Sequence, residues 1–203
     1  MKLYPLFVLV ASVTVLIPGP GVVMTLTNAV RFGMRGSLGG ILGIAAGAFV
    51  VAAISSSSLG LLLATSSLAF SALRFIGGAY LIYLGIRCWR SPPLRWVDQP
   101  THRATFGKRF VEGLSLQLTN PKAIFFFLSV LPQFIDPDAS YAVQFSALVV
   151  TYSALVVLVH SVYAIGAQRA RRWLGSEGGG KMVRRLGGAS FAFFGGALLT
   201  AKP

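Results

Sequence analysis

The sequence contains few acidic residues and few charged residues of any kind. Among its 203 residues, 5 are Asp or Glu, 18 are Lys or Arg, and charged residues make up 11% of the chain. Of the acidic residues only Glu112 approaches a long apolar segment, so a cation pathway lined with carboxylates is poorly supported. The single cysteine, Cys88, excludes an internal disulfide and is expected to act as an ordinary small apolar residue.

Enzymatic motifs are also missing. The chain has no H-E-x-x-H, no G-x-S-x-G, no P-loop and no paired carboxylates, which are the patterns typical of hydrolases and phosphate-binding enzymes. Catalysis is therefore not expected, and no residue is predicted to hold a metal ion or a cofactor.

Apolar residues are abundant instead. They make up 55% of the chain, and the mean hydropathy of +0.73 is too high for a soluble domain with a wetted surface. Segments near the roughly 20 residues that a bilayer crossing requires recur along the chain. Six spans are predicted: Leu3 to Val30, Leu38 to Leu63, Leu68 to Cys88, Val111 to Leu131, Tyr141 to Ile165 and Leu186 to Ala201. The first lacks a small-residue cleavage site, so we interpret it as a retained span and not as a signal peptide.

The six spans are predicted to be helices, because lipid offers backbone groups no hydrogen-bond partners. A transmembrane β-barrel would show alternating apolar and polar residues, and segments such as Ala45 to Ile54 show none. The predicted fold class is an all-α polytopic membrane protein with six transmembrane helices.

The net charge of +13 is unevenly placed along the chain. If the odd-numbered connections face one side, that side carries 14 of the 18 basic residues. By the positive-inside rule these connections lie in the cytoplasm, with both termini, Asp136 and Asp138 outside, as in a bacterial inner membrane. Contact with anionic membrane lipids is a further expected role. The chain has no basic motif interleaved with aromatic residues, so a nucleic-acid partner is not expected.

The basic connection 90–110 divides a single membrane domain into two units of three spans, residues 1–89 and 111–203. Because three is odd, the second unit must be inverted relative to the first, which is a plan common in secondary transporters. The sequence thus predicts a 3+3 inverted repeat.

Each unit opens with a span interrupted by proline, at Pro18-Gly19-Pro20 in the first span and at Asn120-Pro121 in the fourth. Proline removes a backbone donor and frees carbonyls at membrane depth. Asn120 is expected to cap the new helix, with Pro121 in its first position. Such kinks also serve packing alone, and that alternative stays open for each.

Glycines recur at helical spacing and predict close helix packing. Gly39, Gly43 and Gly47 fall every four residues in the second span. Glycine pairs in the third and sixth spans are expected to play the same part, and exposed glycine faces make a homodimer plausible. The serine run at residues 55–58 either lines a wet cavity or marks the outer edge of the second helix.

Polar residues within the spans are the candidates for function. Lys122 is the strongest, with Gln117 and Asn120 one turn earlier and Asn28 late in the first span. A zwitterionic amino acid suits such a site, because its carboxylate can meet Lys122 and helix N-termini while its ammonium meets freed carbonyls. The alternatives are that Lys122 snorkels, or pairs with Glu112 or with the outer acids Asp136 and Asp138.

His160, in the fifth span, is a proton-coupling candidate, because an imidazole titrates near neutral pH. A structural hydrogen bond between helices is the alternative.

Four segments together resemble the LysE/RhtB amino-acid exporter family. They are Ile17-Pro-Gly-Pro-Gly21, the stretch from Arg74 to Gly85, Leu118-Thr-Asn-Pro-Lys-Ala-Ile-Phe-Phe-Phe-Leu128, and Leu131-Pro-Gln-Phe-Ile-Asp-Pro137. The resemblance covers nearly the whole chain and implies an inner-membrane exporter of the homoserine and threonine type, driven as an antiport by the proton motive force. The family's broken-helix motifs then fall on Pro18, Gly19, Pro20, Asn120, Pro121 and Lys122, with Gly21 and Gln117 beside them. His160 matches no motif of the family.

Export of a small neutral amino acid by alternating access is therefore the leading hypothesis. A non-transporting membrane scaffold or assembly protein is an alternative, for which glycine stripes and basic loops would suffice. A solute channel is the third, although no charge ring or filter-like segment is visible.

Overall fold

The computed structural model describes residues 3–56, 67–90, 105–174 and 176–200. Every regular element in these ranges is a helix. The α-helices are α1 Tyr4–Leu16, α2 Pro20–Ser55, α3 Ser67–Arg90, α4 Phe106–Leu118, α5 Pro121–Phe125, α6 Tyr141–Arg169, α7 Arg171–Leu174 and α8 Glu177–Thr200. A π-helical turn, Phe126–Val130, and a 3-10 turn, Leu131–Phe134, follow α5.

The helix α2 folds back on itself at Gly33. This residue has φ 72° and ψ −173°, a combination that only glycine adopts readily, and it is non-helical. A Cβ on Gly40 would lie 2.9 Å from the Met24 methyl carbon, and one on Gly21 would lie 3.3 Å from Ile44 Cδ1. In a straight helix, residues so far apart in sequence would be separated by roughly 20 to 35 Å. Residues 20–32 and 34–55 therefore form a helical hairpin.

Glycine lets α4 approach the second arm of that hairpin. A Cβ on Gly39 would lie 2.7 Å from the Phe106 carbonyl oxygen, one on Gly43 would overlap the Phe110 carbonyl, and one on Gly47 would lie 2.7 Å from Gln117 Cβ. The spacing of four residues therefore places backbone against backbone, as the sequence predicts.

The helices α3 and α8 pack mainly against each other, also through glycine. A Cβ on Gly78 would lie 3.0 Å from the Gly195 carbonyl oxygen, and one on Gly85 would lie 2.9 Å from the Gly188 carbonyl oxygen. The helix α8 begins at Glu177, so it is longer than the predicted span from Leu186, because Lys181, Arg184 and Arg185 continue the same helix.

The chain between α4 and α6 is less regular than the single predicted span Val111 to Leu131. The helix α4 ends at Leu118, α5 begins at Pro121, and the axis bends by 52° between α4 and the segment ending at Phe134. Pro121 occupies the first turn of α5, where its missing N–H would have no helical acceptor. The π-helical and 3-10 turns that follow have no counterpart in the apolar pattern.

Two of the described helical segments, the second arm of α2 and α6, are long and apolar enough to cross a membrane, and the bent pair around Pro121 makes a third if it is counted as one span. α1 is apolar but has only 13 residues. Apolar side chains on α6 are exposed, including Val143 at 68% and Val162 at 63%. A chain whose described regular elements are all helices and carry such surfaces is a polytopic membrane protein. Residues 57–63 of the second predicted span, which include the serines at 57 and 58, lie outside the described ranges. The same holds for residues 91–104 of the basic connection and for Ala201 at the end of the sixth span.

The largest apolar cluster joins α1, the second arm of α2, α6 and the segment after Pro121. Phe7 and Phe126 have ring centroids 6.1 Å apart, and Tyr152 lies 4.7 Å from Phe126 and 4.9 Å from Phe127. This packing holds the two proline-containing segments beside each other.

Candidate functional site

Lys122 lies at the start of α5 and reaches the non-helical segment between α1 and α2. Its side chain is 9% exposed, and Nζ donates a hydrogen bond of 2.9 Å to the Ile17 carbonyl oxygen. Nζ also lies 5.0 Å from the centre of the Phe194 ring on α8, a distance typical of a cation–π contact. A lysine is seldom buried without a carboxylate partner, so this position is unusual.

The charge of Lys122 is not neutralised by an acid among the described residues. Glu112, the partner considered from the sequence, pairs instead with Arg109 at 2.7 Å. The two residues are three apart on α4, so their side chains project from neighbouring turns of the helix. The alternative pairing of Lys122 with Glu112 is therefore wrong.

Asn120 and Gln117 order the backbone beneath Lys122. Asn120 Oδ1 accepts a hydrogen bond of 3.2 Å from the Lys122 backbone N–H and so caps α5, as expected from the Asn-Pro pair. The Asn120 side-chain amide donates to Gln117 Oε1 at 3.3 Å. Both side chains are buried. Lys122, Asn120 and Gln117 therefore form one small polar cluster.

The Ile17-Pro-Gly-Pro-Gly21 segment forms the opposite wall. The helix α1 ends at Leu16, Gly19 has the extended conformation φ −136°, ψ −166°, and α2 begins at Pro20. A Cβ on Gly19 would lie 3.9 Å from both Cδ and Nζ of Lys122. The Leu16 carbonyl accepts a hydrogen bond of 2.7 Å from the Tyr163 hydroxyl. Side chains from the second half of the chain thus satisfy the carbonyls that the break leaves free.

His160 approaches the same segment from α6. Its Nδ1 lies 2.7 Å from the Thr25 hydroxyl, and the ring is 4% exposed. A Cβ on Gly21 would lie 3.1 Å from His160 Cε1, so glycine at this position leaves room for the ring. The structural alternative for His160, a hydrogen bond between helices, is therefore present.

One predicted site residue faces elsewhere. Pro18 lines an apolar cleft of about 700 Å³ between α2, α6, α7 and α8, together with Leu16, Val22 and Tyr163. Gly19, Gly21, Gln117, Asn120, Pro121 and Lys122 lie within or beside the polar cluster.

Sequence reasoning missed three members of the site. Thr25 holds His160, the Ile17 carbonyl holds Lys122, and Phe194 covers Lys122. For Thr25 the sequence did contain a signal, because it is a polar residue in an apolar segment about one turn after the Pro-Gly-Pro motif. The other two depend on contacts between distant segments and have no signal in the pattern of residues.

The comparisons with known proteins agree with the motifs. The profile of the LysE type translocator family matches residues 12–202. An uncharacterized membrane protein of Vibrio cholerae is 33% identical over 97% of this chain and 96% of its own length. A protein of Salmonella typhimurium named homoserine/homoserine lactone efflux protein is 32% identical, covering 97% of this chain and 95% of its own length.

A more distant relative, the uncharacterized membrane protein YrhP of Bacillus subtilis, is 26% identical over 93% of this chain and 94% of its own. No solved structure matches the chain. The family match covers most of the sequence and includes both proline motifs, which confirms the resemblance drawn from them. This protein belongs to the LysE type translocator family.

Proposed function

We propose that the protein exports small neutral amino acids from the cytoplasm, with Lys122 binding the substrate carboxylate. The observation that carries the site is the buried Lys122 ammonium, held by a backbone carbonyl and not by an acid. The names of the Salmonella relatives support amino-acid derivatives as the substrate class. A neutral zwitterion fits because the described site offers one cation for its carboxylate and uncharged oxygens for its ammonium.

When the substrate binds, its two charged groups replace the hydrogen bond between Lys122 and the Ile17 carbonyl. Lys122 leaves the Ile17 carbonyl and pairs with the substrate carboxylate, in a charge-assisted hydrogen bond stronger than the one it gives up. The Ile17 carbonyl then accepts from the substrate ammonium. The oxygens of Asn120 and Gln117 lie within one turn and add acceptors to the same cluster.

The proposed carrier has six spans in a 3+3 inverted repeat, with the first and fourth spans broken by proline. The site lies between the two breaks, so opposite units of the repeat each supply one wall. Both termini lie outside, the basic connections lie in the cytoplasm, and the protein resides in the bacterial inner membrane. Rocking of one unit against the other would expose the site to each side in turn, coupled to inward movement of protons. No cofactor is needed.

Purified protein reconstituted into liposomes tests the proposal with a panel of radiolabelled amino acids that includes homoserine and threonine. We expect at least one neutral member to move faster than in empty liposomes, with saturation and counterflow. Lys122→Met should lower the rate about 100-fold, because a buried charge-assisted bond of about 3 kcal/mol is lost. Lys181→Met, at an exposed lysine on α8, is the matched control and should transport normally.

Two results would contradict the proposal. No transport of any panel member would remove the exporter function, and full activity in a folded Lys122→Met protein would remove Lys122 from the site. A scaffold would tolerate Lys122→Met and lose its partner when the basic loops are neutralised. A channel would show neither saturation nor counterflow.

A further inference from the structure

A second group of polar side chains lies near the bend of the α2 hairpin, away from Lys122. Three buried N–H groups here have no hydrogen-bond acceptor in the described part of the chain: Asn28 Nδ2, Arg31 Nε and Arg109 Nε. Asn28 is 2% exposed. An unsatisfied buried donor costs about 1 to 3 kcal/mol, so three in one region indicate an acceptor that the described residues do not supply.

The three donors come from two helices that meet at Gly40. A Cβ on Gly40 would lie 3.2 Å from Asn28 Nδ2 and 3.8 Å from the Arg109 carbonyl oxygen. Arg31 follows Asn28 by three residues on the same helix, one turn nearer the bend. The Arg109 guanidinium is fixed by the Phe32 ring, whose centre lies 4.3 Å from Cζ, and by Glu112. The Arg109 guanidinium is therefore held in place before any ligand arrives.

A cavity opens beside this group. It has a volume of about 820 Å³ and is lined on one side by Met24 of α2 and on the other by Lys108, Glu112 and Ser115 of α4. Met24 precedes Asn28 by one turn, so the cavity and the buried amide share one face of α2. The Glu112 side chain is 38% exposed at this position.

The charges around the cavity favour a zwitterion over a simple anion. Arginine and amide N–H groups bind carboxylates well, and Arg31, Arg109 and Asn28 provide such groups here. A phosphate or another ligand without a positive charge would have no group to pair with the partly exposed carboxylate of Glu112. An amino acid places its carboxylate at the donors and its ammonium toward Glu112, so both charges are matched.

We propose that Asn28, Arg31 and Arg109 form a loading site, which binds the carboxylate of the transported amino acid before the substrate reaches Lys122. The inference rests on the proposed function and adds a second binding position to it. Arg31, Lys108 and Arg109 belong to the basic side of the chain, the side from which an exporter takes its substrate. The helix α4 runs from this site to Gln117 and so connects the two positions.

Inside-out membrane vesicles present the cytoplasmic face to the medium and therefore test the loading site. The probe is the panel amino acid that wild-type protein transports fastest, and the variant is Asn28→Asp. This change preserves side-chain size. The introduced carboxylate repels the carboxylate of the substrate and accepts hydrogen bonds from Arg31 and Arg109. We expect KM to rise at least about tenfold with Vmax retained, from the loss of one hydrogen bond to a charged group, and the melting temperature to be unchanged or higher.

Arg35→Gln is the matched control, because Arg35 is an exposed basic residue close to the same bend, and it should leave KM unchanged. Arg31→Gln is a second variant and should also raise KM, so the test does not depend on the folding of one protein. Equilibrium binding adds a separate readout: Lys122→Met should retain weak binding of the probe, and adding Asn28→Asp should abolish it. Excess orthophosphate should not compete.

Wild-type KM in both folded variants would overturn the loading site and leave the exporter function intact. Competition by orthophosphate would show a general anion site instead, and a response of KM only to the content of phosphatidylglycerol in the vesicles would assign the donors to a lipid headgroup. Absence of transport by the wild-type protein would instead contradict the proposed function.

Discussion

His160 places a titratable side chain against the Pro-Gly-Pro segment. The Thr25 hydroxyl holds its Nδ1, and Gly21 leaves the space that its ring occupies. Lys122 approaches the same segment from the other side. A proton bound at His160 would therefore add positive charge close to the proposed carboxylate site. Proton binding and substrate binding would then affect each other, as proton-coupled transport requires.

Substitution of His160 by Gln separates proton coupling from packing. Glutamine can still hydrogen-bond to Thr25 but has no titratable group. We expect His160→Gln to lose accumulation driven by a pH gradient while it keeps counterflow at zero gradient, both measured in proteoliposomes. Thr25→Val, which keeps the imidazole and removes its partner, should retain gradient-driven transport at a reduced rate. Normal gradient-driven transport by His160→Gln would leave only the structural role.

The parts of the candidate site that depend on residues adjacent in sequence could be predicted. The Asn-Pro pair at Asn120 predicts a helix cap, and the cap is present. Lys122 stands out because an ionisable residue within an apolar segment is costly. Its bond to Ile17 joins residues 105 apart in sequence, and no periodicity of the apolar pattern encodes such a pair.

At the scale of elements, the hairpin of α2 depends on one residue. Gly33 has a positive φ with extended ψ, and nothing lies within 4 Å of the position of a Cβ there. Substitution by alanine would therefore introduce backbone strain without a steric clash. The cost of such a conformation for a residue with a Cβ is about 1 to 3 kcal/mol.

We expect Gly33→Ala to lower the melting temperature of the detergent-solubilised protein, followed by circular dichroism. Gly107→Ala is the control, because Gly107 also has open space around its Cβ position but lies within α4. It should leave the melting temperature unchanged or raise it slightly, since alanine favours a helix. Equal melting temperatures for Gly33→Ala and the wild-type protein would mean that the bend tolerates a side chain.

The elements differ in how far the sequence determines them. Gly39, Gly43 and Gly47 predict a close contact through spacing alone, and α4 packs there. The position of the bend at Gly33 is not marked, since other glycines lie nearby at residues 36, 39 and 40. The irregular turns from Phe126 to Phe134 lie where Phe126 and Phe127 pack around Tyr152, and they have no counterpart in the apolar pattern.

At the scale of the whole molecule, the placement of basic residues predicts orientation. Cysteine labelling tests it in a Cys88→Ser background, because Cys88 is the only native cysteine. We expect an impermeant thiol reagent to label Asp138→Cys in cells whose outer membrane has been permeabilised. Ser176→Cys, next to α8 and its basic first turns, should be labelled only after the inner membrane is opened. The reverse pattern would place both termini in the cytoplasm.

The overall class was predictable because hydropathy and charge act on whole segments. The helical, polytopic character follows from the length and composition of segments such as Tyr141 to Ile165, which lies within α6. The pairing of α3 with α8 was not predictable, because glycine pairs in the third and sixth spans indicate close contact but do not specify a partner. The number of spans and the inverted repeat stay predictions.

The hydrogen bond from Lys122 to the Ile17 carbonyl has a consequence for how the cell would use this protein. Each substrate molecule must displace that bond, which is worth about 1.5 to 3 kcal/mol, so affinity falls roughly 10- to 100-fold below that of an open lysine. Under the proposed function, outward flux then stays low at ordinary cytoplasmic concentrations and grows as the amino acid accumulates. The proposed exporter would therefore remove the amino acid mainly when it is in excess over what biosynthesis uses.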